Sequence, residues 1–186
     1  MRQLQALNEI TAMQVHDHPA RTILVLGVCG GNGLEHIDST RVKKVYGADI
    51  NEEYLAVCKK RHSRFGDKLE LICTDLCSGD CTLPRAELVI ANLIVEHTGL
   101  EAFCRQMGKI RREGTALSCV IQSNEGASYV SRSPYAKKLQ PLDAVHHDIP
   151  ESDLISGLEG VGYNMLLREE YPLPDEKMFI RVDFMG

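Results

Sequence analysis

Between Gly27 and Gly33 the chain reads Gly-Val-Cys-Gly-Gly-Asn-Gly. Glycines in such a turn let a ligand approach the backbone without meeting a Cβ. Where the turn opens a helix, the first N–H groups are free to receive a pyrophosphate or an α-carboxylate. Two acids follow at matching places: Asp49 in Tyr-Gly-Ala-Asp-Ile and Asp75 in Ile-Cys-Thr-Asp-Leu. A carboxylate at the first place accepts hydrogen bonds from ribose hydroxyls, and it equally suits the N-cap of a helix starting near Asn51. Further on stand Asn92, Glu96 and His97, then His146-His147-Asp148, with His16-Asp17-His18 near the start. A His or Glu beside a reacting group is a general base. Glu96 also reads as an acid placed on the first turn of a helix to suit its dipole. His-His-Asp reads as a base with its orienting partner, as part of a metal site or as a solvated loop.

These residues need elements to hold them at one place. Thr22–Leu26 is an unbroken apolar run ahead of the glycines, the mark of a buried parallel strand. Further strands are expected at Val42–Ile50, Leu69–Cys73, Glu87–Ala91 and Thr115–Gln122. Helices are expected over 3–14, 52–65, 98–112 and 151–159, and another opens directly after the glycine turn. The last two strands, Tyr163–Tyr171 and Met178–Phe184, are joined by a link too short for a helical crossover, so they form an antiparallel hairpin. The alternation predicts an α/β Rossmann-like three-layer sandwich, with a mainly parallel seven-stranded sheet and a C-terminal antiparallel hairpin. Residues 1–186 read as one domain. Residues 1–20 are its N-terminal helical segment, and 123–150 a long irregular stretch suited to a lid or substrate segment.

The glycine turn does not fit the dinucleotide spacing G-x-G-x-x-G, and no Gly-Lys-Ser/Thr follows it, so neither that fingerprint nor a P-loop applies. It resembles motif I of class I S-adenosylmethionine-dependent methyltransferases, an acidic residue, any residue, then Gly-x-Gly-x-Gly. Aligned on Gly31 and Gly33, the family's first glycine falls on Cys29 and its acid on Gly27. The resemblance runs from about Ile23 to Gln122, and the terminal hairpin also matches. It implies S-adenosyl-L-methionine as cofactor, with Gly27, Cys29, Gly31, Gly33, Asp49, Ile50, Asp75, Leu76 and Asn92 in its site, Asp49 on the ribose and Asp75 near the adenine amine. Asn92 stands where N-methylating members carry Asn/Asp-Pro-Pro-aromatic. The prolines and the aromatic are missing here, so a DNA-base or protein-amide acceptor is not supported. Glu96, His97 and His146 are the candidate catalytic residues.

Composition narrows the rest. The formal charge of the 186-residue chain is -5, the opposite of what a nucleic-acid binder advertises. The basic run Lys59–Arg64 reads as a solvated helix face. No apolar run approaches a membrane span, and the first residues lack a signal peptide's apolar stretch. Seven cysteines, an odd number, point to free thiols and a cytoplasmic protein. Cys73, Cys77 and Cys81 lack the close pairs of a zinc site, so no metal is expected. The reading is therefore a methyltransferase acting on a small or medium-sized acceptor. The alternatives are a non-catalytic S-adenosylmethionine-binding or scaffold protein and a nicotinamide-dependent oxidoreductase.

Overall fold

The computed structural model describes residues 3–124, 148–174 and 177–186. Seven strands form one sheet: β1 Thr22–Leu26, β2 Lys44–Asp49, β3 Leu69–Cys73, β4 Leu88–Asn92, β5 Ala116–Asn124, β6 Asn164–Pro172 and β7 Lys177–Met185. Their order across the sheet is β3-β2-β1-β4-β5-β7-β6. The first five pair in parallel, and β7 runs antiparallel to both β5 and β6. The helices are α1 Gln3–Asp17, α2 Glu52–Arg61, the single turn α3 Val95–Thr98, α4 Leu100–Ile110 and α5 Glu151–Gly160. The α/β fold class read from the sequence, with its terminal hairpin, is the one observed.

Helices cover both faces of the sheet. On one, Leu24, Val89, Ala91, Leu117, Val182 and Phe184 pack against Phe103 and Met107 of α4 and Leu154 and Leu158 of α5. The spacing of Phe103, Met107 and Ile110 puts them on one side of α4. Each such side chain, buried fully, contributes about 1.5–3 kcal/mol. On the other face Ile23, Val45, Leu88 and Ile90 meet Leu55 and Cys58 of α2, while Val120 and Phe179 meet Ala6 and Ile10 of α1.

The rest of the contact beneath α1 is a buried polar seam. Gln14 donates to Ser118 at 2.8 Å, His18 meets Asp183 at 2.7 Å, and Arg181 pairs with Asp17 at 2.9 Å as well as with Asp183. Gln14, Ser118, Arg181 and Asp183 are all fully buried. Against the cost of burial, hydrogen bonds from His18, Arg181 and Ser118 hold the Asp183 carboxyl below the usual carboxylate range.

Four expected elements differ. The helix expected after the glycine turn is only a 3-10 turn, Leu34–His36. The Glu35 carboxylate accepts from Gly33 N at 2.9 Å, and Asp38 accepts from Thr40 N at 2.8 Å. Such side-chain bonds compete with continued helix. The helix expected over 98–112 is divided by Gly99, whose φ of 73° no helix accommodates. The helix expected over 52–65 ends at Arg61, where the chain tightens into a 3-10 segment. Strand β5 runs to Asn124 because β7 pairs with it that far, so the expected lid segment loses its first two residues to the sheet.

Candidate cofactor and acceptor site

Strand β1 lies between β2 and β4, so the chain leaves its carboxyl end toward one side and returns from β3 to the other. A crevice opens at such a reversal. The glycine turn, Asp49, Asp75 and Asn92 all stand at the carboxyl ends of their strands and meet around it.

The turn is held to β2. Gly27 N and Val28 N both donate to Ala48 O, at 2.9 and 3.1 Å. Gly27, Cys29, Gly31 and Gly33 all have positive φ. Among the described residues, the only non-glycines with positive φ are Cys29 at 46° and Leu93 at 54°. They follow β1 and β4, on the two sides of the crevice. Strained backbone gathers at functional sites.

Two of the glycines also answer to packing. A Cβ on Gly31 would lie 2.6 Å from the His62 ring and 2.9 Å from Cys58 Sγ, and one on Gly33 would lie 2.6 Å from Thr11. Gly31 thus admits α2's end and Gly33 admits α1. A Cβ on Gly27, where the family's acid would stand, would meet Ile94 Cδ1 at 3.0 Å. An apolar side chain covers the place of the missing carboxylate. The turn's N–H groups are largely used internally, Gly31 N by Val28 O and Gly33 N by Glu35. With no α-helix following, the expected helix-dipole site for an α-carboxylate is absent.

Asp49 is more central than its position alone reveals. Its Oδ2 accepts from Cys29 N at 2.8 Å and its Oδ1 from Asn51 N at 2.9 Å. The cap of α2 is Asn51, which accepts from Glu53 N and Tyr54 N, so Asp49 is not the N-cap. It ties the glycine turn to the end of β2, and each oxygen keeps a second acceptor site. Beside it Ile50 is 67% exposed, a large apolar surface at the rim. Cys29 is exposed; partial desolvation and then the Asp49 carboxylate beside it push its thiol up, to about 12.

Asp75 is exposed and accepts from Cys77 N at 2.8 Å, an Asx turn. Leu76 is buried. Gln106 of α4, itself buried, donates to the carbonyls of Leu76 and Ser78 and holds this loop in place. Its helical spacing carries no signal of that role. Asn92 turns toward α1, where its amide exchanges bonds with Gln14 at 2.8 and 3.0 Å and reaches Thr11 at 3.1 Å. Through Gln14 it is continuous with the seam beneath α1.

Glu96 and His97 lie in α3, on the β4–β5 side of the crevice. Glu96 is 1% exposed. Its Oε1 accepts from Gln122 N at 2.8 Å, and its Oε2 has no hydrogen-bond partner. Burial pushes its carboxyl up to about 7, and the Asp148 charge acts in the same direction. His146 and His147 lie outside the described residues, and Asp148 is exposed. Cys73 and Cys77 are exposed while Cys81 is buried. Among the described residues no group of three His, Cys, Asp or Glu is placed to hold a metal, and no helix is long and apolar enough to cross a membrane.

Solved structures share this fold along nearly the whole chain. The N-methyltransferase NodS from Bradyrhizobium japonicum WM9 aligns with a TM-score of 0.71 at 13% identity, covering 98% of this chain and 95% of that one. Magnesium protoporphyrin IX methyltransferase (ChlM) from Synechocystis PCC 6803, solved with bound SAM, gives 0.70 at 14% identity, covering 98% and 79%. The [4+2]-cyclase SpnF gives 0.73 at 11% identity, covering 98% and 82%. That one sheet serves proteins so differently named shows that the fold alone does not decide the reaction. No curated protein matches the chain. The family model described as "Methyltransferase domain" matches residues 24–119, from β1 into β5 and across every crevice residue described above. More than half of the chain is covered by that match, and the chain belongs to the methyltransferase domain family.

Proposed function

We propose that this protein is an S-adenosylmethionine-dependent methyltransferase acting on a small or medium-sized acceptor. The observation that carries this reading is Asp49: a carboxylate fixed on Cys29 N and Asn51 N at the end of β2, with acceptor capacity left on each oxygen. That is the group a ribose diol requires. Exposed Ile50 offers the adenine an apolar face, with Asp75 and Leu76 across the rim. Gly27, Cys29, Gly31 and Gly33 form the wall along which the methionine portion runs. S-adenosylmethionine supplies a methyl group on a sulfonium, whose departure leaves a neutral thioether.

What the chain contributes is alignment, the largest lever available for a displacement of this kind. Leu93 and Ile94 follow β4 directly and close the crevice opposite the glycine turn. Ile94 over Gly27 keeps water from the sulfonium end. With the family's acid missing, backbone carbonyls at the ends of β1 and β4 take its place toward the ligand's amino group. The elements outside the sheet are short, which favours a small acceptor over a macromolecule. All seven cysteines are free, which fits the reducing cytoplasm.

Calorimetry with S-adenosylhomocysteine and with NAD tests the cofactor. Binding of the first and not the second is expected, together with a rise in melting temperature by mass action. Binding of NAD alone would overturn the reading. Binding of S-adenosylhomocysteine without label transfer from methyl-labelled S-adenosylmethionine to any metabolite panel would favour the scaffold alternative.

A further inference from the structure

Glu96 stands out among the buried groups because its surroundings leave it half satisfied. One carboxylate oxygen is bound by Gln122 N; the other is buried and has no partner. Among the described residues no cation pairs with it. Among the described residues the titratable groups near it are Asp148 ahead of α5, Cys119 on β5 and its neighbour His97 on α3. An ionised carboxylate buried without a counter-charge is costly, and structures keep one only where something pairs with it. The cofactor residues gather on the β1–β2–β3 side of the crevice. Glu96 lies on the other side, bridging the turn after β4 to the end of β5. That is the side left for the methyl acceptor.

We propose that Glu96 is the acceptor-side anchor and proton acceptor of the enzyme, and that the acceptor is an amine that arrives as its ammonium ion. This rests on the methyltransferase reading above. An amine arrives mostly as its ammonium ion, which supplies the cation and the hydrogen-bond donor that Oε2 lacks. The ammonium must lose its proton before its nitrogen can attack. That proton passes to Glu96 Oε2, and the nitrogen gains a lone pair. The nitrogen–carbon bond then forms as the carbon–sulfur bond of the sulfonium breaks, with its electron pair kept by sulfur. The products are the methylated amine as a cation, a neutral thioether and the Glu96 carboxyl, which gives its proton to solvent as product leaves; charge balances throughout. The elevated Glu96 carboxyl, at about 7, suits a group that must hold and release a proton near neutrality. An alcohol or a thioether acceptor would leave the missing positive charge unsupplied.

The test uses the full chain with 13C-labelled glutamate carboxyls, the Glu96 resonance being assigned by its loss in Glu96→Gln. Alone, the resonance should titrate near pH 7. With methylammonium chloride the midpoint should fall by about one unit or more, as an opposite charge close by requires. Methanol, with sodium chloride at matching ionic strength, should leave it in place. Methyl label from S-adenosylmethionine should pass to amines of a panel and not to their alcohol or thiol counterparts. With the first amine that takes label, Glu96→Gln should lower kcat by about 100-fold or more while S-adenosylhomocysteine affinity is unchanged. A midpoint unmoved by methylammonium, or moved equally by methanol, overturns the proposal; so does label on alcohols or thiols alone. If neither protein binds S-adenosylhomocysteine, the cofactor reading fails, and the methylammonium titration still decides what Glu96 recognises.

Discussion

Replacing Glu96 by Gln should change how stability depends on pH more than it changes stability itself. In the folded protein burial raises this carboxyl from 4.5 to about 7, so the native state holds its proton more tightly than the unfolded chain does. The stability this confers is fully present below pH 4.5 and is lost as pH rises through the folded value. At about 1.36 kcal/mol per pH unit, the whole excursion is about 3 kcal/mol. The introduced glutamine cannot titrate. Its carbonyl keeps the bond from Gln122 N, and its amide introduces a buried donor that costs about 1–3 kcal/mol at every pH. That cost is constant, so it drops out when the difference between variant and parent is followed with pH. Urea denaturation of both proteins across this pH range, with equal m-values, should show that difference shifting by about 3 kcal/mol in the variant's favour toward alkaline pH. A difference flat to within about 0.5 kcal/mol, the scatter of an ordinary surface substitution, would mean that Glu96 titrates as a solvated acid and that burial does not govern its proton.

Asp49→Ala removes the acceptor of Cys29 N and Asn51 N as well as the proposed ribose contact. S-adenosylhomocysteine affinity should drop about ten- to hundredfold in a calorimeter, with a stability loss of about 1–3 kcal/mol from the two orphaned donors. Gly31→Ala drives a Cβ against the His62 ring at a φ of 81° and should lower the denaturation midpoint before any effect on ligand is considered. Adding His62→Ala should recover part of that loss, and full stability of the single variant would show that the turn relaxes freely. Asp183→Ala leaves the buried Arg181 with Asp17 and Glu169 as its remaining ion-pair partners among the described residues. A loss of about 3 kcal/mol is expected, and a loss under about 1 kcal/mol by denaturation would show that the seam beneath α1 carries little.

The sheet was readable because each of its strands is short, apolar and punctuated. Thr22–Leu26 and Leu69–Cys73 are found at the residues their patterns indicate, and the brief link after Tyr171 left no choice but a hairpin. Asp49 could be placed at the crevice from its position after an apolar run. Its bond to Cys29 N could not, since that depends on how far the turn folds back over β2. Segments failed where side chains compete with the backbone: Glu35 and Asp38 dissolve a helix that periodicity alone would allow. Burial of polar residues was the least legible feature. Gln14, Ser118, Arg181 and Asp183 look like solvent-facing positions in their own segments, and only the meeting of α1 with β5 and β7 shows that they satisfy one another. Glu96 was hidden in the same way, because an acid ahead of a helix ordinarily faces water.

That seam has a consequence for how the chain is made. The seam's partners lie far along the sequence: Ser118 is 104 residues beyond Gln14, and Asp183 is 165 beyond His18. Synthesis at roughly 5–20 residues per second puts about 8–33 s between the emergence of His18 and that of Asp183. During that interval α1 lacks the β7 side chains that complete its polar face. A greasy underside would be a hazard to the nascent polypeptide, inviting chaperones or neighbouring chains. Thr11, Gln14 and His18 are comfortable in water instead. Ala6 and Ile10 must still wait for Val120 and Phe179, but this part of the face exposes nothing sticky, and the seam is complete only when β7 supplies Arg181 and Asp183.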